Sequence, residues 1–526
     1  MRVLGIEGTA WAASAGVFDT ETGEILVESD PYEPDSGGIH PREAAEHMGE
    51  AIPRVVEQAL QRAEGIDAVA FSRGPGLGPC LRIVGTAARS VAGALDVPLV
   101  GVNHMVAHLE IGRHFAGFDA PVCLNASGAN AHLLGYHNGR YRVLGETMDT
   151  GVGNALDKFT RHVGWSHPGG PQVEAAAAEG EYLDLPYVVK GMDFSFSGIM
   201  SAAKDAYDDG TSVEDVCCGL QETVFAMLTE VSERALSLTG TDELVLGGGV
   251  GQNARLQAML RQMCEARGAS FYAPEPRFLR DNAGMIAVLG ARMYAAGDTL
   301  SIAESAVDPN FRPDAVAVTW RGAEESVARA PHDAGTVRGA EATVTMTDAH
   351  VIKRRLPKSY RHPALDDRLR RERTVAEARL LSEARRAGVP TPLVVDIDRR
   401  EATLTLQRVG QTDLAAALSE AAAEAVGRQL ARLHDAEIVH GDPTTRNVRV
   451  EGTKVYFVDF GLGFHTGHVE DHAMDLHVFA QSVEGTAESP TLLVEACLAG
   501  YLDEGGTAAE AVVERLDEIE GRGRYQ

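Results

Sequence analysis

Short apolar segments of strand length alternate with longer amphipathic stretches through the first part of the chain. Residues 3–27 alternate as two strands around a turn, and apolar segments follow at 67–72, 98–102 and 242–246. Each of the last three is followed by Gly-rich or polar residues and then by apolar residues at helical spacing. Strands that alternate with helices in this way predict an α/β fold.

A pair of histidines follows the strand predicted at 98–102. His104 and His108 are four residues apart on a predicted helix, so both imidazoles project from the same face. Two neutral imidazoles at this spacing can hold one divalent metal ion, with further ligands from other parts of the chain. The alternative is a pair of partly buried, hydrogen-bonded histidines. The zinc-protease motif H-E-x-x-H is disfavoured because Met105 occupies the place of the general-base Glu.

Three loops of glycine and other small residues accompany these strands. Residues 73–79 open a helix at Leu81, residues 127–130 form the turn of a predicted hairpin, and residues 247–253 join a strand to a helix. Exposed backbone amides at such loops favour an anionic ligand, although each loop alone is explained by a tight turn. The Walker A and G-x-G-x-x-G spacings are not matched. Together the loops favour nucleotide binding.

A second pattern begins after the Ala-, Glu- and Gly-rich residues 321–337, which have the composition of a linker. It places Lys353 at the end of a strand, Glu377 on a helix, Asp442 in a loop with Asn447 five residues later, and Asp459 in an Asp-Phe-Gly sequence. These are the parts of a protein kinase in kinase order. In that role the Lys steadies phosphates, the Glu orients it, Asp442 accepts a hydroxyl proton, and Asn447 and Asp459 hold Mg²⁺.

Composition restricts the protein's class and environment. The 526 residues allow two or three domains, no run approaches the roughly 18 apolar residues needed to span a bilayer, and six scattered cysteines predict a reducing cytoplasm. The net charge of −28, with only six lysines, suits a salt-rich cytoplasm, where the Debye length falls to ~3 Å at 1 M. We therefore infer a halophilic archaeal source.

Several motifs of the first part resemble the transferase subunit of the KEOPS complex, a family that makes threonylcarbamoyladenosine in tRNA. The matching segments occur in family order at residues 5–10, 72–76, 103–108, 247–250 and 281–283. The resemblance implies the actin/Hsp70-like (ASKHA) fold, two-lobed, over residues 1–320, with a nucleotide cleft between two α/β halves. It also implies a divalent metal, iron or another ion, on His104, His108, Asn125 and Asp281. The nucleotide contacts it implies are Asn125, Ala126, Ser127, Gly128, Ala129, Asp157, Gly170, Glu174 and Asn253.

Two of these positions depart from the family pattern. Asn125 stands where the family has a Tyr ligand, and it offers a carbonyl oxygen but no phenolate. Ala129 stands where the family has the second glycine of a Ser-Gly-Gly-Asn turn, which places a methyl group where backbone approaches phosphate.

The second part, residues 338–526, resembles the small Rio-like atypical kinase of the same complex. The resemblance rests on the kinase residues above, on His-Gly-Asp in place of His-Arg-Asp, and on residues 358–367. It implies a Rio-type protein-kinase-like domain that binds ATP and Mg²⁺, works mainly as an ATPase, and has Ser/Thr kinase activity as a second outcome. The usual glycine loop is absent, and its place is taken by Gly339, Ala340, Glu341 and Ala342.

The two resemblances together imply transfer of a threonylcarbamoyl group from threonylcarbamoyl-AMP to an anticodon-loop adenosine, in tRNAs that read codons beginning with adenine. The implied partners are tRNA, ATP and other KEOPS subunits, with no membrane. Arginines and lysines concentrate in residues 353–373, and with Arg522 and Arg524 they are candidates for tRNA phosphate contacts. Internal ion pairs are the alternative. The alternative functions are a metal-dependent protease and a regulatory Ser/Thr kinase with a nucleotide-binding scaffold domain.

Overall fold

The computed structural model describes residues 1–32, 39–137, 139–322, 336–487 and 489–522. Contacts within the chain define two compact units. The first comprises Met1–Val188 and the described residues from Asp193 to 322, and the second comprises Val189–Met192 and the described residues from 336 onwards. The predicted α/β class, with an ASKHA-like domain and a kinase-like domain, is confirmed.

Strands and helices alternate along the first unit. Its strands are β1 Arg2–Glu7, β2 Ala12–Asp19, β3 Ile25–Pro31, β4 Ala68–Gly74, β5 Leu99–Asn103, β6 Val122–Ala126, β7 Ala131–His137, β8 Arg140–Glu146, β10 Asp193–Phe194, β11 Glu243–Gly247 and β12 Ser270–Tyr272. The short strand β9 Val189–Lys190 lies in the segment that belongs to the second unit. The helices are α1 Pro41–Gln61, α2 Gly78–Leu95, α3 His104–Ala116, α4 Val152–His162, α5 Gly170–Ala177, α6 Ser197–Asp208, α7 Val213–Thr239, α8 Ala254–Arg267, α9 Pro276–Leu279 and α10 Ala283–Ala295.

The first unit contains two five-stranded sheets with the same topology. Their strand orders are β3-β2-β1-β4-β5 and β8-β7-β6-β11-β12. In each sheet the first three strands form an antiparallel meander, and the last two join the first strand in parallel. This duplication is the pair of α/β halves that the resemblance implies. The segment predicted as two strands, 3–27, contains β1, β2 and the start of a third strand, β3. This third strand forms an edge of the sheet and is rich in polar residues.

Two helices lie between the sheets. One apolar core joins side chains of β1, β4 and β5 to side chains of β6, β7 and β11 through α3 and α10. On the opposite face of the first sheet, α1 and α2 cover a separate core. The approach of α10 to β1 requires glycine at Gly5, where a Cβ would lie 2.3 Å from the carbonyl oxygen of Ala283. This packing brings the chain just before α10 to the ends of the first sheet's parallel strands.

The second unit has a strand-rich part and a helix-rich part. Its strands are β13 Thr336–Arg338, β14 Ala342–Met346, β15 His350–Arg355, β16 Val394–Asp398, β17 Thr403–Gln407, β18 Thr412–Asp413, β19 Ile438–Val439, β20 Val448–Glu451, β21 Lys454–Phe457 and β22 Phe464–His465. Its helices are α11 Pro363–Arg386, α12 Glu420–Asp435, α13 Val469–Glu484 and α14 Pro490–Arg522, which is interrupted by non-helical backbone at Gly506.

A five-stranded antiparallel sheet of order β13-β14-β15-β17-β16 carries the N-terminal part of the second unit. Helix α11 packs against this sheet, while α12, α13 and α14 form most of the remaining core. The helix predicted from Thr374 begins at Pro363, eleven residues earlier in the numbering, because Leu365 and Leu369 are buried and proline is favourable in a first turn.

The segment predicted as a linker, 321–337, is only partly described. Its first residue, Arg321, is buried in the first unit, where its guanidinium donates to Glu110 Oε1 at 3.3 Å and to the carbonyl oxygen of Asp119 at 2.7 Å. Its last two residues belong to β13. Residues 323–335 lie outside the described residues.

Searched over the described ranges, the chain contains no helix with the length and apolar character needed to cross a membrane.

Candidate active sites

The junction of β5 and α3 positions the two histidines. Asn103 ends the strand and caps the helix, since its Oδ1 accepts hydrogen bonds from the amides of Met105 at 3.0 Å and Val106 at 3.1 Å. His104 is therefore the first helical residue, and His108 lies one turn further. Both side chains are buried, and their ring centroids are 4.9 Å apart.

Asp281 meets the two imidazoles from the segment between α9 and α10. Its Oδ1 lies 3.4 Å from His104 Nε2 and 3.2 Å from His108 Nε2. One ligand atom from each of the three side chains lies within 4.8 Å of the others. The structure thus brings together three of the four predicted metal ligands, and two imidazole nitrogens with one carboxylate oxygen form a donor set that suits iron or zinc.

In this cluster, burial and the neighbouring charges shift the pKa values of His104 and Asp281 in opposite directions. Burial disfavours the imidazolium of His104, but the carboxylates of Glu7 and Asp281 raise its pKa to about 10. Burial lowers the pKa of His108. Burial also disfavours the carboxylate of Asp281, but His104 and the hydrogen bonds from both imidazoles hold its pKa well below the usual range. Without a metal ion, the cluster therefore holds a proton on His104 that a bound cation would replace.

Glu7 is a part of this site to which the sequence analysis gave no role. Its carboxylate, fully buried at the carboxyl end of β1, lies 3.2 Å from His104 Nδ1. It also accepts hydrogen bonds from the Thr9 amide at 2.8 Å, from the Thr9 hydroxyl at 2.7 Å and from the Ser72 hydroxyl. A carboxylate behind an imidazole orients the ring and increases its basicity. The available sequence signal was an acidic residue ending an otherwise apolar strand.

Asn125, the fourth predicted metal ligand, lies at the carboxyl end of β6. Its side chain is buried, and Oδ1 has no hydrogen-bond partner among the described residues. Gly248 passes close to it, because a Cβ there would lie 2.5 Å from Asn125 Oδ1, and its φ of +85° also favours glycine. The assignment of Asn125 as a ligand stays a prediction.

His132 lies directly opposite Asn125 on β7 and was missed by the sequence analysis. Its ring is buried, and neither ring nitrogen has a hydrogen-bond partner within the described parts of the chain. Burial, together with the charges of His108 and His104, lowers the pKa of His132 to about 3. Its surroundings therefore keep this imidazole neutral.

The predicted nucleotide turn packs against the start of α4. The carbonyl oxygens of Ser127 and Gly128 accept hydrogen bonds from the amides of Gly153 at 3.2 Å and Asn154 at 2.9 Å. Ala126 is buried at the end of β6, whereas Ala129 is exposed. The departure from the family pattern at Ala129 therefore lies at an exposed position.

Four other predicted nucleotide contacts organise neighbouring helix starts. Asp157 Oδ1 accepts a hydrogen bond from the amide of Gly169, next to Gly170 at the start of α5, at 2.7 Å. Glu174 Oε1 accepts from the amide of Ala254 at 2.8 Å, and Asn253 caps α8. Asn253 lies in the loop after the carboxyl end of β11, and the turn of residues 127–130 follows the carboxyl end of β6; ligands bind at such strand ends in α/β sheets.

In the second unit, Lys353 joins two of the predicted kinase residues. Its Nζ lies 2.8 Å from Glu377 Oε1 and 2.5 Å from Asp459 Oδ1. A second cation, Arg355, donates to Glu377 Oε2 at 2.6 Å. Burial disfavours the Asp459 carboxylate, but Lys353 and Arg355 hold its pKa well below the usual range. The backbone of Asp459 has a φ of +66°, in the left-handed region that non-glycine residues seldom adopt.

Asp442 and Asn447 lie on one loop between β19 and β20. Asn447 Nδ2 donates to the Asp442 carbonyl oxygen and to Oδ2, both at 2.9 Å. Asp475 on α13 fixes the loop's start, because its carboxylate accepts from the amides of His440 at 2.7 Å and Gly441 at 2.8 Å. The sequence analysis missed Asp475, which lies outside the recognisable kinase motifs.

The loop of Gly339, Ala340, Glu341 and Ala342 is a tight turn that is tied to the chain around α11. The Gly339 amide donates to the Ala342 carbonyl oxygen at 2.9 Å, and Glu341 pairs with Arg373 at 2.7 Å and Arg361 at 3.4 Å. The Ala340 carbonyl oxygen accepts from Lys358.

The basic segment 353–373 is largely neutralised within the second unit. Besides the pairs above, its arginines pair with Glu401, Asp366, Asp367 and Glu372. These contacts favour internal ion pairs over phosphate contacts as its role. Arg524 and the side chain of Arg522 lie outside the described residues.

Known proteins match both parts of the chain. The model of a family described as TsaD, tRNA N6-adenosine threonylcarbamoyltransferase, matches residues 22–288. A model described as the lipopolysaccharide kinase (Kdo/WaaP) family matches residues 318–484.

Curated relatives match the whole chain. Bifunctional tRNA threonylcarbamoyladenosine biosynthesis proteins are 68% identical in Haloquadratum walsbyi, over 100% of both chains, and 69% identical in Halobacterium salinarum, over 100% of this chain and 99% of the relative. The relative in Methanospirillum hungatei is 52% identical over 99% of both chains. The chain therefore belongs to the family of bifunctional tRNA threonylcarbamoyladenosine biosynthesis proteins, with a transferase domain followed by a kinase-like domain.

Proposed function

We propose that the first unit transfers the threonylcarbamoyl group of threonylcarbamoyl-AMP to the exocyclic amine of an anticodon-loop adenosine in tRNA. The observation that carries the proposal is the convergence of His104, His108 and Asp281 beside loops suited to phosphate. In the reaction the amine nitrogen bonds to the carbamoyl carbon, the bond from that carbon to the AMP oxygen breaks, and AMP and a proton leave.

His104, His108 and Asp281 would hold a divalent metal ion, for which iron is our first candidate. When bound, such an ion supplies a Lewis acid that polarises the acyl carbonyl and stabilises the charge developing on its oxygen. Glu7 holds the His104 ring in orientation through Nδ1.

The loops at the ends of β6 and β11 would hold the AMP part of the donor. The loop after β11 leads into α8, and the amides at a helix start favour anions, whereas the loop after β6 is a hairpin turn that packs against the start of α4. Asp157 holds the start of α5, while Glu174 and Asn253 hold the start of α8, through the contacts described above. The target adenosine must leave its stack to reach the donor, and an anticodon loop tolerates this more readily than a duplex.

The second unit would bind ATP with Mg²⁺ and hydrolyse it in support of the transfer. Lys353, oriented by Glu377, would contact phosphate oxygens, while Asn447 and Asp459 would hold the metal. Asp442 would accept the proton of the attacking water or, in a second outcome, of a Ser/Thr hydroxyl. Other KEOPS subunits are the proposed partners of both units.

The transfer assay uses the full-length protein with threonylcarbamoyl-AMP, tRNA and the other KEOPS subunits. Modified adenosine is measured by mass spectrometry after nuclease digestion. We expect the double variant His104→Ala/His108→Ala to form none, while His162→Ala, which alters a half-exposed histidine paired with Asp208, behaves as wild type. Transfer by the double variant would contradict the proposal.

Two controls address the alternative functions. Casein digestion by the metal-loaded protein would favour the protease. Failure of the wild-type protein to modify tRNA in the complete mixture would favour a scaffold or signalling kinase.

A further inference from the structure

We propose that His132 is a ligand of the same metal ion and takes the role that Asn125 fills poorly. The inference rests on the proposed function, because it concerns the ion that His104, His108 and Asp281 would hold. It changes the expected protein ligands from two imidazoles, an amide and a carboxylate to three imidazoles and a carboxylate.

The register of the second sheet places His132 on the face that carries Asn125. The two residues are direct partners on the antiparallel strands β6 and β7, so their side chains project to the same side. On the other side of β6, Asn125 is the partner of Gly247.

Helix α3 covers this face of the sheet. A Cβ at Gly247 would lie 3.5 Å from the Cβ of His108 and 3.6 Å from Asn125 Oδ1. A Cβ at Gly112 on α3 would lie 3.1 Å from the Cβ of Val245, which shares this face with Gly247. His132 therefore projects from the sheet towards the helix that carries the histidine pair.

Several buried polar atoms at this face have no hydrogen-bond partner among the described residues. His132 is 1% exposed, and neither of its ring nitrogens has a hydrogen-bond partner among the described residues. Within the same ranges, Asn125 Oδ1 and His108 Nδ1 are also buried without partners. Buried polar groups in folded proteins are nearly always satisfied, so a group left unsatisfied requires an explanation such as an ion.

The group with ligand atoms within 4.8 Å of one another consists of His104, His108 and Asp281, and His132 lies outside it. Because no hydrogen bond to a described residue holds the His132 ring, turning it towards a bound ion breaks none.

The chemistry of the donors favours His132 over Asn125. Imidazole nitrogen is a ligand of iron, zinc and cobalt, whereas an amide oxygen suits harder ions such as calcium. The family's Tyr offers a phenolate that Asn125 lacks. An additional imidazole restores a nitrogen donor that the amide cannot supply.

The test measures metal binding by the full-length protein, with Co²⁺ as the probe. We expect His132→Gln to weaken Co²⁺ affinity at least tenfold, by analogy with the loss of groups that support a metal site, and to change the d–d absorption of the bound ion. His162→Gln is the matched control and should bind Co²⁺ as wild type does.

A second variant separates ligation from packing. His132→Cys places a thiolate at the same position, so a ligand there adds a sulfur-to-cobalt charge-transfer band. Wild-type affinity in His132→Gln, or weakened binding in His132→Gln with no new band in His132→Cys, would overturn the inference.

The same titration distinguishes this inference from the proposed function. Loss of Co²⁺ binding in His104→Ala/His108→Ala, with wild-type binding in His132→Gln, would overturn the role of His132 and leave the site itself intact. Wild-type binding in the double variant would instead overturn the site.

Discussion

Glu7 Oε2 lies 3.2 Å from His104 Nδ1, on the opposite side of the imidazole from the nitrogen that faces Asp281. The carboxylate thus orients the imidazole that would hold the proposed metal ion. Carboxylate–histidine–metal arrangements of this kind tune the basicity of the ligand and fix its tautomer. The arrangement gives Glu7 a role in metal affinity even though it is not a proposed ligand.

Replacement of Glu7 by Gln should weaken metal binding. The amide keeps the shape of the side chain but removes the charge that supports His104, so we expect an affinity loss of about 10- to 100-fold. The measurement is competition for Co²⁺ with a chelator of known affinity. Glu28→Gln, which alters a partly exposed partner of Arg62, is the control, and equal affinities in the two variants would contradict the prediction.

The metal-free protein should lose stability as pH rises above neutrality. The pKa of His104 is about 10 in the folded protein, against about 6.5 in an unfolded chain. The folded state therefore binds more protons between these values, and the free energy of unfolding falls across this window. Asp281 acts in the opposite direction at low pH, because its lowered pKa gives stability that is lost as pH falls.

Urea unfolding of the metal-free protein from pH 6 to 10, at fixed high salt, measures this effect. The decline should be smaller in His104→Gln, which lacks the titrating group. Metal affinity of the wild-type protein should rise over the same window, since the ion displaces a proton from His104. Metal affinity that falls with pH there would contradict the assignment.

Removal of the Glu110 carboxylate should strongly destabilise the first unit. The fully buried carboxylate accepts from Tyr141 at 2.8 Å and pairs with Arg113 at 3.0 Å, with Arg321 at 3.3 Å and with Arg292. Glu110→Ala removes the buried carboxylate that these three arginines share, and we expect a loss of about 3 to 5 kcal/mol.

The control for Glu110 is an exposed pair. Glu275→Ala breaks the contact of Glu275 with Arg277 at 3.0 Å and should cost less than about 1 kcal/mol. Both values come from urea unfolding monitored by near-ultraviolet circular dichroism. Similar losses in the two variants would show that Arg321 and its neighbours do not depend on Glu110.

Asp459→Ala should abolish most of the ATPase activity. Asp459 contacts Lys353 at 2.5 Å and is the proposed Mg²⁺ ligand, so its loss removes positioning and charge together. We expect a decrease of about 100-fold or more in phosphate release. Asp396→Ala, at an exposed position of β16, should leave the rate unchanged. Undiminished phosphate release by Asp459→Ala would contradict the kinase-like mechanism.

Local patterns in the sequence determined the histidine pair, the glycine loops and the order of the kinase residues. The spacing of His104 and His108 predicts that both lie on one helix face, because helical periodicity depends only on residues close together in the sequence. The same holds for Asp442 with Asn447, which share one loop. The start of α11 was not predicted correctly from the local pattern. The helix begins at Pro363 and not at Thr374, because the burial of Leu365 and Leu369 depends on tertiary packing.

Only the tertiary structure decided which distant side chains complete the metal cluster. Asp281 is 173 residues from His108, and Glu7 is 97 residues from His104, so no local pattern joins them without a family resemblance. Strand pairing placed His132 opposite Asn125, and the fold paired the arginines of residues 353–373 with acidic side chains. The physical reason is that sheet register, burial and ion pairing depend on residues far apart in the chain.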